Sequence, residues 1–281
     1  MQVTATDATL GAIIDGIELR DIDEATWPIV EEAFHRHAVL VFPGQYLDDD
    51  AHLRFSRWFG PLERATAVPR AGQRADFTRL ANIDGDGAVV HDPKSRVVQS
   101  LVGNQEWHSD SSFKRIAAKA SILAAVVVPA LGGETQFADM RAGYDTLSDD
   151  DKALVDPLVA RHSFAGDAYL TDAERAILTP VEHAVVQHHP ATGRRSLFVG
   201  RHARDIVGID PAEGRRLVDR LRAHACRPPR IYTHRWSAGD VVVWDNRCVL
   251  HRGRPWDMDQ PRVMRRLTIA GDGEGNEWRL E

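Results

Sequence analysis

Cysteine is scarce in this chain: its 281 residues include only Cys226 and Cys248, and no C-x-x-C spacing. This excludes a disulfide framework and a zinc knuckle, and it favours a reducing compartment. The sequence has no uninterrupted run of eighteen apolar residues, so no transmembrane helix is predicted. The N-terminus lacks a basic region followed by an apolar run, so no signal peptide is predicted. A cytoplasmic protein with no membrane partner is the expectation.

Positive charge is not in excess either. The chain has 35 Lys and Arg residues against 41 Asp and Glu residues, a formal net charge of −6. Non-specific nucleic-acid binding needs a basic face, so nucleic acid is not an expected partner. A hydrophobic fraction of 43% with 27% charged residues is ordinary for a globular chain with a substantial core. An enzyme or a small-molecule-binding protein is therefore expected.

Short β segments separated by turn signals dominate the second half of the sequence. Apolar and β-branched runs predict strands at 9–20 (two segments), 38–42, 78–83, 120–128, 134–138, 184–189, 196–199, 231–236, 241–244, 248–251 and 263–270. Helical spacing predicts helices at 25–35, 53–59, 140–147, 149–158 and 212–225. The pattern is typical of a mainly β fold with flanking helices, a sandwich or barrel. Without any repeat or linker, a single domain over 1–281 is expected.

Two polar segments of weak periodicity, 62–104 and 163–187, are predicted to form active-site loops. Within the first, 84–100 is expected to be an exposed, mobile loop that leads directly to the motif described next. Loops placed beside a rigid site often cover it.

The strongest candidate site combines His108 and Asp110 with a distant histidine, His251. In an extended segment residues two apart share a face, so His108 and Asp110 can point the same way. His251 lies 141 residues after Asp110 and ends the segment 241–251, which is largely apolar and is expected to deliver it inward. Two imidazoles and one carboxylate form the set that holds non-haem Fe(II) and leaves open positions. The alternative is a core histidine at His108 and a helix cap at Asp110.

Several longer motifs accompany this set. In chain order they are 38–45 (AVLVFPGQ), 59–63 (FGPLE), 107–113 (WHSDSSF), 132–135 (GGET), 138–144 (ADMRAGY), 244–253 (WDNRCVLHRG) and 262–266 (RVMRR). Over nearly the whole chain they resemble the Fe(II)/2-oxoglutarate dioxygenases of the taurine dioxygenase and 2,4-dichlorophenoxyacetate dioxygenase (TauD/TfdA) family. The resemblance implies a double-stranded β-helix (jelly roll), an oxidoreductase, and 2-oxoglutarate and O2 as cosubstrates. It also implies a homo-oligomer.

The metal and cosubstrate residues follow from this resemblance. His108, Asp110 and His251 match the iron ligands. Arg262, eleven residues after His251, matches the arginine that pairs with the distal carboxylate of 2-oxoglutarate. Thr135 matches a hydroxyl that bonds the same carboxylate. A buried carboxylate needs a paired, hydrogen-bonded partner, and a guanidinium plus a hydroxyl supplies one.

The resemblance also suggests residues that contact the primary substrate. Arg266 matches an arginine near the anionic group of the substrate, or near the cosubstrate in some members. It would share a strand face with Arg262, although both could be surface cations. Asn104, His189 and His202 match positions that can meet the substrate in the phenoxyalkanoate branch. His189 and His202 could equally be surface or hairpin residues, and His188 beside His189 leaves the register of that match open.

The implied reaction is hydroxylation of a small anionic substrate at a carbon next to an ether oxygen. An aryloxyalkanoate of the phenoxy acid herbicide type would then yield a phenol and an oxo acid, with succinate and CO2. A sulfonate or alkyl sulfate substrate is the second reading, and a metal-binding jelly-roll protein without turnover is a third, from another class. The sequence leaves open the exact substrate, its enantiomer, the pocket walls, the oligomeric state and the physiological role.

Overall fold

Strands dominate the architecture of the chain. The computed structural model describes residues 1–63, 77–164 and 170–272, in which fifteen strands form four sheets. The largest sheet has the order β1-β2-β3-β13-β5-β15-β4. Its strands are β1 (Gln2–Ala5), β2 (Ala12–Asp15), β3 (Val39–Phe42), β4 (Thr78–Ala81), β5 (Ala120–Val127), β13 (Val241–Asp245) and β15 (Val263–Ile269). Strands from the N-terminal and C-terminal parts of the chain pair in this sheet.

A three-stranded sheet faces the large one. It has the order β12-β6-β14 and consists of β6 (Thr135–Asp139), β12 (Ile231–His234) and β14 (Val249–Gly253). Phe137 of this sheet packs with Trp244 and Met264 of the large sheet in one buried cluster. Two facing sheets with helices outside them confirm the predicted mainly β, jelly-roll fold. The candidate site lies between these sheets.

The remaining strands form two small sheets beside this core. They are β7 (Val159–His162), β8 (Val181–Ala184) and β11 (Ala203–Ile206) in one sheet, and β9 (Val186–His188) and β10 (Arg195–Leu197) in the other. The pair β9–β10 is the hairpin predicted for 184–199. Strands β7 and β11 were not predicted.

Helices cover the outside of the sheets. Their bounds are α1 (Trp27–His37), α2 (Asp49–Arg57), α3 (Arg96–Gly103), α4 (Met140–Asp145), α5 (Asp149–Val155), α6 (Asp172–Ile177) and α7 (Pro211–Ala225), with a 3-10 turn at Leu19–Asp21. Phe34 of α1 and Phe55 of α2 belong to a cluster with Ile122 of the large sheet, so these helices cover its outer face. No helix in the described ranges is both long enough and apolar enough to cross a bilayer.

Two local predictions were wrong. The segment 84–100 is not wholly an exposed loop, because α3 begins at Arg96 after Ser95, whose side chain accepts a hydrogen bond from Val98 N. Val98 and Leu101 are its buried residues, and eight residues with two anchors carry too little periodicity to be recognised. The predicted loop 163–187 likewise includes α6 and β8. Residues 64–76 and 165–169 of the two loop predictions lie outside the described residues.

Candidate active site

The two predicted ligand histidines are joined through their backbones. His108 N donates to His251 O at 3.0 Å, and His251 N donates to His108 O at 2.8 Å. This isolated antiparallel bridge places the two rings with their centroids 4.1 Å apart. His251 lies on β14, so the bridge attaches the first ligand segment to the edge of the three-stranded sheet.

Asp110 completes the group. Its carboxylate lies 3.6 Å from His251 Nε2 and 4.0 Å from His108 Nε2. The three ligand atoms lie within 4.8 Å of one another, and all three residues are buried. The chain turns sharply just after the carboxylate, where Ser111 has a positive φ of 54°. The structure therefore brings together the three residues that the sequence predicted.

Protonation of the group suits a metal. His108 Nδ1 lies 2.8 Å from Glu106 O, a carbonyl that can only accept, so Nδ1 carries the hydrogen and Nε2 has the free lone pair. Burial lowers the pKa of His108 despite the nearby Asp110, and burial lowers the pKa of His251 well below its usual value. Burial raises the pKa of Asp110, but Arg266 and the two imidazoles outweigh it and hold that pKa below its usual value. Neutral imidazoles and an ionised carboxylate are the forms that bind metals.

Arg266 is hydrogen-bonded to the carboxylate of Asp110. Its Nη1 donates to Asp110 Oδ1 at 2.5 Å. On β15, Met264 and Arg266 face the interior, whereas Arg265 points to the opposite side and bonds Leu47 O. The predicted shared face of Arg262 and Arg266 is therefore present, and both residues line the same cleft.

Arg262 is a buried cation with few partners. Its side chain donates from Nη2 to Gly133 O at 3.2 Å and its guanidinium carbon lies 5.1 Å from the centre of the Trp256 ring, while Nε has no hydrogen-bond partner. No carboxylate of the described residues forms a salt bridge with it. Burial lowers the pKa of Arg262 to about 10, so it stays charged at neutral pH. A buried cation without an anion is costly, and an anionic ligand would satisfy it.

Thr135 provides a second donor to the cleft. Trp236 Nε1 donates to Thr135 Oγ1 at 3.0 Å, and an indole cannot accept, so the hydroxyl hydrogen remains free. The adjacent Gly132 and Gly133 have φ values of 78° and 70°. A Cβ on Gly132 would lie 2.6 Å from Pro255 O, which explains why the chain can approach this closely only with glycine.

The predicted substrate residues separate into two groups. Asn104 lines the cleft together with Arg266. The ring of His202 lies 6.5 Å from that of His108, between Phe113 (5.0 Å) and Phe164 (5.4 Å). His202 is buried, and its Nδ1 has no hydrogen-bond partner.

His189 is not brought to the cleft. Its Nε2 lies 2.8 Å from Asp245 Oδ2, and its Nδ1 accepts from Thr192 N at 3.3 Å, so both nitrogens are satisfied within a buried network. Arg247 also bonds Asp245, through Nε to Oδ1 at 2.8 Å and Nη2 to Oδ2 at 2.6 Å. Asp245, His189 and Cys248 form a second cluster of ligand types, but Arg247 already balances its carboxylate. The expected substrate contact of His189 is therefore replaced by a structural one.

We expect His189→Ala to lower the free energy of unfolding by about 1.5–3 kcal/mol, because a hydrogen bond to a buried charged group is lost. Urea unfolding followed by circular dichroism measures this. The control is His188→Ala at the exposed neighbouring position, for which the change should be close to zero. An unaltered stability of the His189 variant, with a changed substrate requirement, would restore the substrate role.

Two residues around Asp110 were not predicted from the sequence. Ser121 Oγ donates to Asp110 Oδ2 at 2.7 Å, and Asn246 Nδ2 donates to Ser121 Oγ at 3.0 Å. Ser121 is the only polar residue in the strand run 120–128, and that isolated hydroxyl was the available signal. Asn246 lies in the motif 244–253 but received no role.

Comparison with known proteins agrees with this geometry. Residues 2–268 match the family described as "Taurine catabolism dioxygenase TauD, TfdA family". The chain is 42% identical to an (S)-phenoxypropionate/alpha-ketoglutarate-dioxygenase of Delftia acidovorans, over 98% of this chain and 96% of that one. It is 41% identical to an alpha-ketoglutarate-dependent 2,4-dichlorophenoxyacetate dioxygenase of Cupriavidus pinatubonensis, over 92% and 94% of the two chains.

A solved structure is similar over the same extent. The crystal structure of AAD-2 in complex with Mn(II) and N-oxalylglycine superposes with a TM-score of 0.89 at 37% identity, covering 97% of this chain and 99% of that one. These matches cover almost the full length of the chain. They agree with the sequence motifs, the sheet topology and the buried His-Asp-His group. The chain belongs to the TauD/TfdA family of dioxygenases.

Proposed function

We propose that the protein is an Fe(II)- and 2-oxoglutarate-dependent dioxygenase that hydroxylates a small anionic substrate of the aryloxyalkanoate class. The observation that carries this is the pairing of a buried His-Asp-His group with a buried arginine, Arg262, that has no anion among the described residues. A metal site alone does not need such a cation. A cosubstrate with a carboxylate at each end does.

The donor set fits iron. His108 and His251 would contribute imidazole nitrogens and Asp110 a carboxylate oxygen, and this combination leaves coordination positions open. When bound, Fe(II) supplies the chemistry that couples O2 and oxidative decarboxylation of 2-oxoglutarate to C–H hydroxylation. The residues of the chain bind and orient the metal, the cosubstrate and the substrate, and they exclude water from the site.

Arg262 and Thr135 are the proposed clamp for the distal carboxylate of 2-oxoglutarate. Arg262 supplies charge in a buried environment, where a charge-assisted hydrogen bond is strong. The free hydroxyl hydrogen of Thr135 supplies a second bond. Trp256 flanks the guanidinium and limits its movement, so the cosubstrate would meet a cation that is already oriented.

Arg266 is proposed to act beside Asp110, the carboxylate of the metal site. It donates to Asp110 in the structure, and its side chain is only partly buried, so it can also face an anionic group in the cleft. We place Arg266, Asn104 and His202 as candidates for the substrate side. His202 would present a neutral imidazole beside two phenylalanine rings, a surrounding suited to an aryl group.

The proposed reaction is the one implied by the relatives named for (S)-phenoxypropionate and 2,4-dichlorophenoxyacetate. Hydroxylation of the carbon between an ether oxygen and the carboxylate converts C–H to C–OH and forms a hemiacetal. The hydroxyl proton then moves to the ether oxygen as the carbon–oxygen bond to the aryl group's oxygen breaks, releasing a phenol and an oxo acid. One O2 and one 2-oxoglutarate are consumed, and succinate and CO2 are formed.

Two alternatives make different demands on the site. A sulfonate or alkyl sulfate substrate would use the same metal and cosubstrate residues, so only the substrate side would differ. A jelly-roll protein that binds metal without turnover would have no use for Arg262 and Thr135, which disfavours that reading. A cytoplasmic location and a homo-oligomeric state remain part of the proposal, and light scattering of the purified protein tests the latter.

A substrate panel tests the proposal. We expect succinate formation, measured with Fe(II), ascorbate and 2-oxoglutarate, to be fastest with a phenoxyacetate or one enantiomer of 2-phenoxypropionate, because relatives that are 42% and 41% identical are named for (S)-phenoxypropionate and 2,4-dichlorophenoxyacetate. Taurine and an alkyl sulfate are the comparisons, since each carries an anionic group, a sulfonate or a sulfate, and lacks the aryl ether. The phenol released should equal the succinate formed. Best activity on taurine would refute the aryloxyalkanoate assignment.

A further inference from the structure

We infer that Ser121 and Asn246 are positioning residues that close a directional ring of hydrogen bonds on Asp110 and so hold its carboxylate in place as a metal ligand. This rests on the proposed function, because it concerns the metal site of that reaction. Neither residue contacts the cleft, and both act through Asp110. Their side chains are fully buried, with exposures of 0% and 1%.

The orientation of the Asn246 amide is determined by its neighbours. Its Oδ1 lies 3.0 Å from Trp244 Nε1 and 3.1 Å from Asp110 N. Both of these atoms are donors only, so the atom facing them must be the amide oxygen. The NH2 group of Asn246 then faces Ser121, and it can only donate.

The direction of the next bond follows from this. Because Asn246 Nδ2 donates to Ser121 Oγ, the hydroxyl hydrogen of Ser121 cannot point back at the amide. Its remaining neighbour is Asp110 Oδ2 at 2.7 Å, a carboxylate oxygen that accepts. The ring therefore runs from Asp110 N to Asn246, from Asn246 to Ser121, and from Ser121 back to the Asp110 side chain.

This ring restricts rotation of the Asp110 carboxylate. Ser121 holds Oδ2 and Arg266 holds Oδ1, so each oxygen has one bound donor and keeps lone-pair capacity for a metal. The bond from Asp110 N ties the main chain of the ligand to the same amide. Side chain and backbone of Asp110 are thus oriented by one residue.

The turn that carries Asn246 is itself anchored. Asp245 N donates to Ala38 O at 2.9 Å, and Asn246 N donates to Lys119 O at 2.9 Å. The Asp245 carboxylate accepts hydrogen bonds from Arg247 and lies within hydrogen-bond distance of His189 Nε2. Hydrogen bonds around a metal ligand preserve its orientation, and their loss typically lowers metal affinity about 10- to 100-fold.

Two variants test the inference with metal affinity as the readout. Ser121→Ala removes the donor to Asp110 Oδ2. Asn246→Asp keeps the shape but puts an acceptor against Ser121, so the hydroxyl is drawn away from Asp110. The control is Ser196→Ala, which removes a hydroxyl that is equally buried on strand β10 and has no hydrogen-bond partner.

Metal-free proteins, shown to be folded by circular dichroism, are titrated with Mn(II) by calorimetry well below their melting temperatures. We expect dissociation constants about 10- to 100-fold higher for Ser121→Ala and Asn246→Asp, and unchanged for Ser196→Ala. A role confined to stability would lower the melting temperatures of both ring variants and leave their affinities at the wild-type value, which would overturn the inference.

Failures of the two proposals are distinguishable. If wild-type protein binds Mn(II) and the ring variants bind it equally well, only the inference fails. If wild-type protein binds no Mn(II), the proposed function and the inference both fail. Should either ring variant not fold, Ser121→Cys replaces it, since it retains a side chain but weakens the donor, and an unchanged affinity there would equally overturn the inference.

Discussion

Replacing Arg262 with methionine is expected to stabilise the protein without cosubstrate and to weaken 2-oxoglutarate binding. The guanidinium is buried, lacks an anion among the described residues, and leaves Nε without a partner. An apolar side chain of similar length removes that desolvation cost, so the melting temperature should rise by about 2–4 °C for each 1 kcal/mol gained. Differential scanning fluorimetry without ligand measures this shift.

The same substitution should raise the 2-oxoglutarate dissociation constant strongly. Losing one partner of a buried, hydrogen-bonded ion pair costs about 2–5 kcal/mol, which corresponds to roughly 30- to several thousand-fold. Calorimetric titration with 2-oxoglutarate in the presence of Mn(II) gives the value without turnover.

Arg265→Met is the matched control for that experiment. Arg265 lies three residues after Arg262, in β15, but faces the opposite side, where it bonds Leu47 O and pairs with Asp49. Its replacement should lower stability and leave 2-oxoglutarate affinity unchanged. If Arg262→Met bound 2-oxoglutarate like the wild type, the cosubstrate carboxylate would have to be bound elsewhere.

Asp110→Ala is expected to abolish metal binding and to reduce succinate formation to the level seen without metal. The variant removes the only carboxylate of the His-Asp-His group and leaves Arg266 beside two imidazoles, so the site becomes cationic as well as incomplete. Mn(II) titration and succinate assay with the preferred substrate test the two effects separately. His108→Ala should give the same loss of turnover.

Asp240→Asn separates this loss from a general effect on folding. Asp240 is also a buried carboxylate beside an imidazole, at 3.2 Å from His234 Nε2, but it does not line the cleft. We expect lower stability in this variant and normal metal affinity in the folded fraction. Normal turnover by Asp110→Ala would remove the iron assignment altogether.

The local sequence was enough for most of the elements. The apolar runs that became β3, β13 and the first six residues of β5 are buried on both faces, so their apolar residues form continuous stretches that are easy to recognise. Residue types that favour a helix N-terminus, Asp48 and Ser148, cap α2 and α5 through side-chain hydrogen bonds. Short elements such as α3 and β7 escaped, because each buries only two residues and depends on its tertiary neighbours.

Histidines show where sequence reasoning stopped. His108, His251 and His202 lie at or beside the candidate metal group, whereas His189 lies in a separate buried network with Asp245. Nothing in their local composition distinguishes these cases. The difference depends on which strand ends meet.

By itself the sequence determined the chemistry that the chain can carry: the two histidines and one carboxylate, the arginine eleven residues after the second histidine, and the motifs of the family. Only the tertiary structure decided how those groups are held, because the directions of hydrogen bonds depend on atoms from distant strands. Ser121 from β5 and Asn246 after β13 reach Asp110 only once both strands pair in the large sheet. The spacing of residues along the sequence does not reveal that ring, because its members are separated by up to 136 residues.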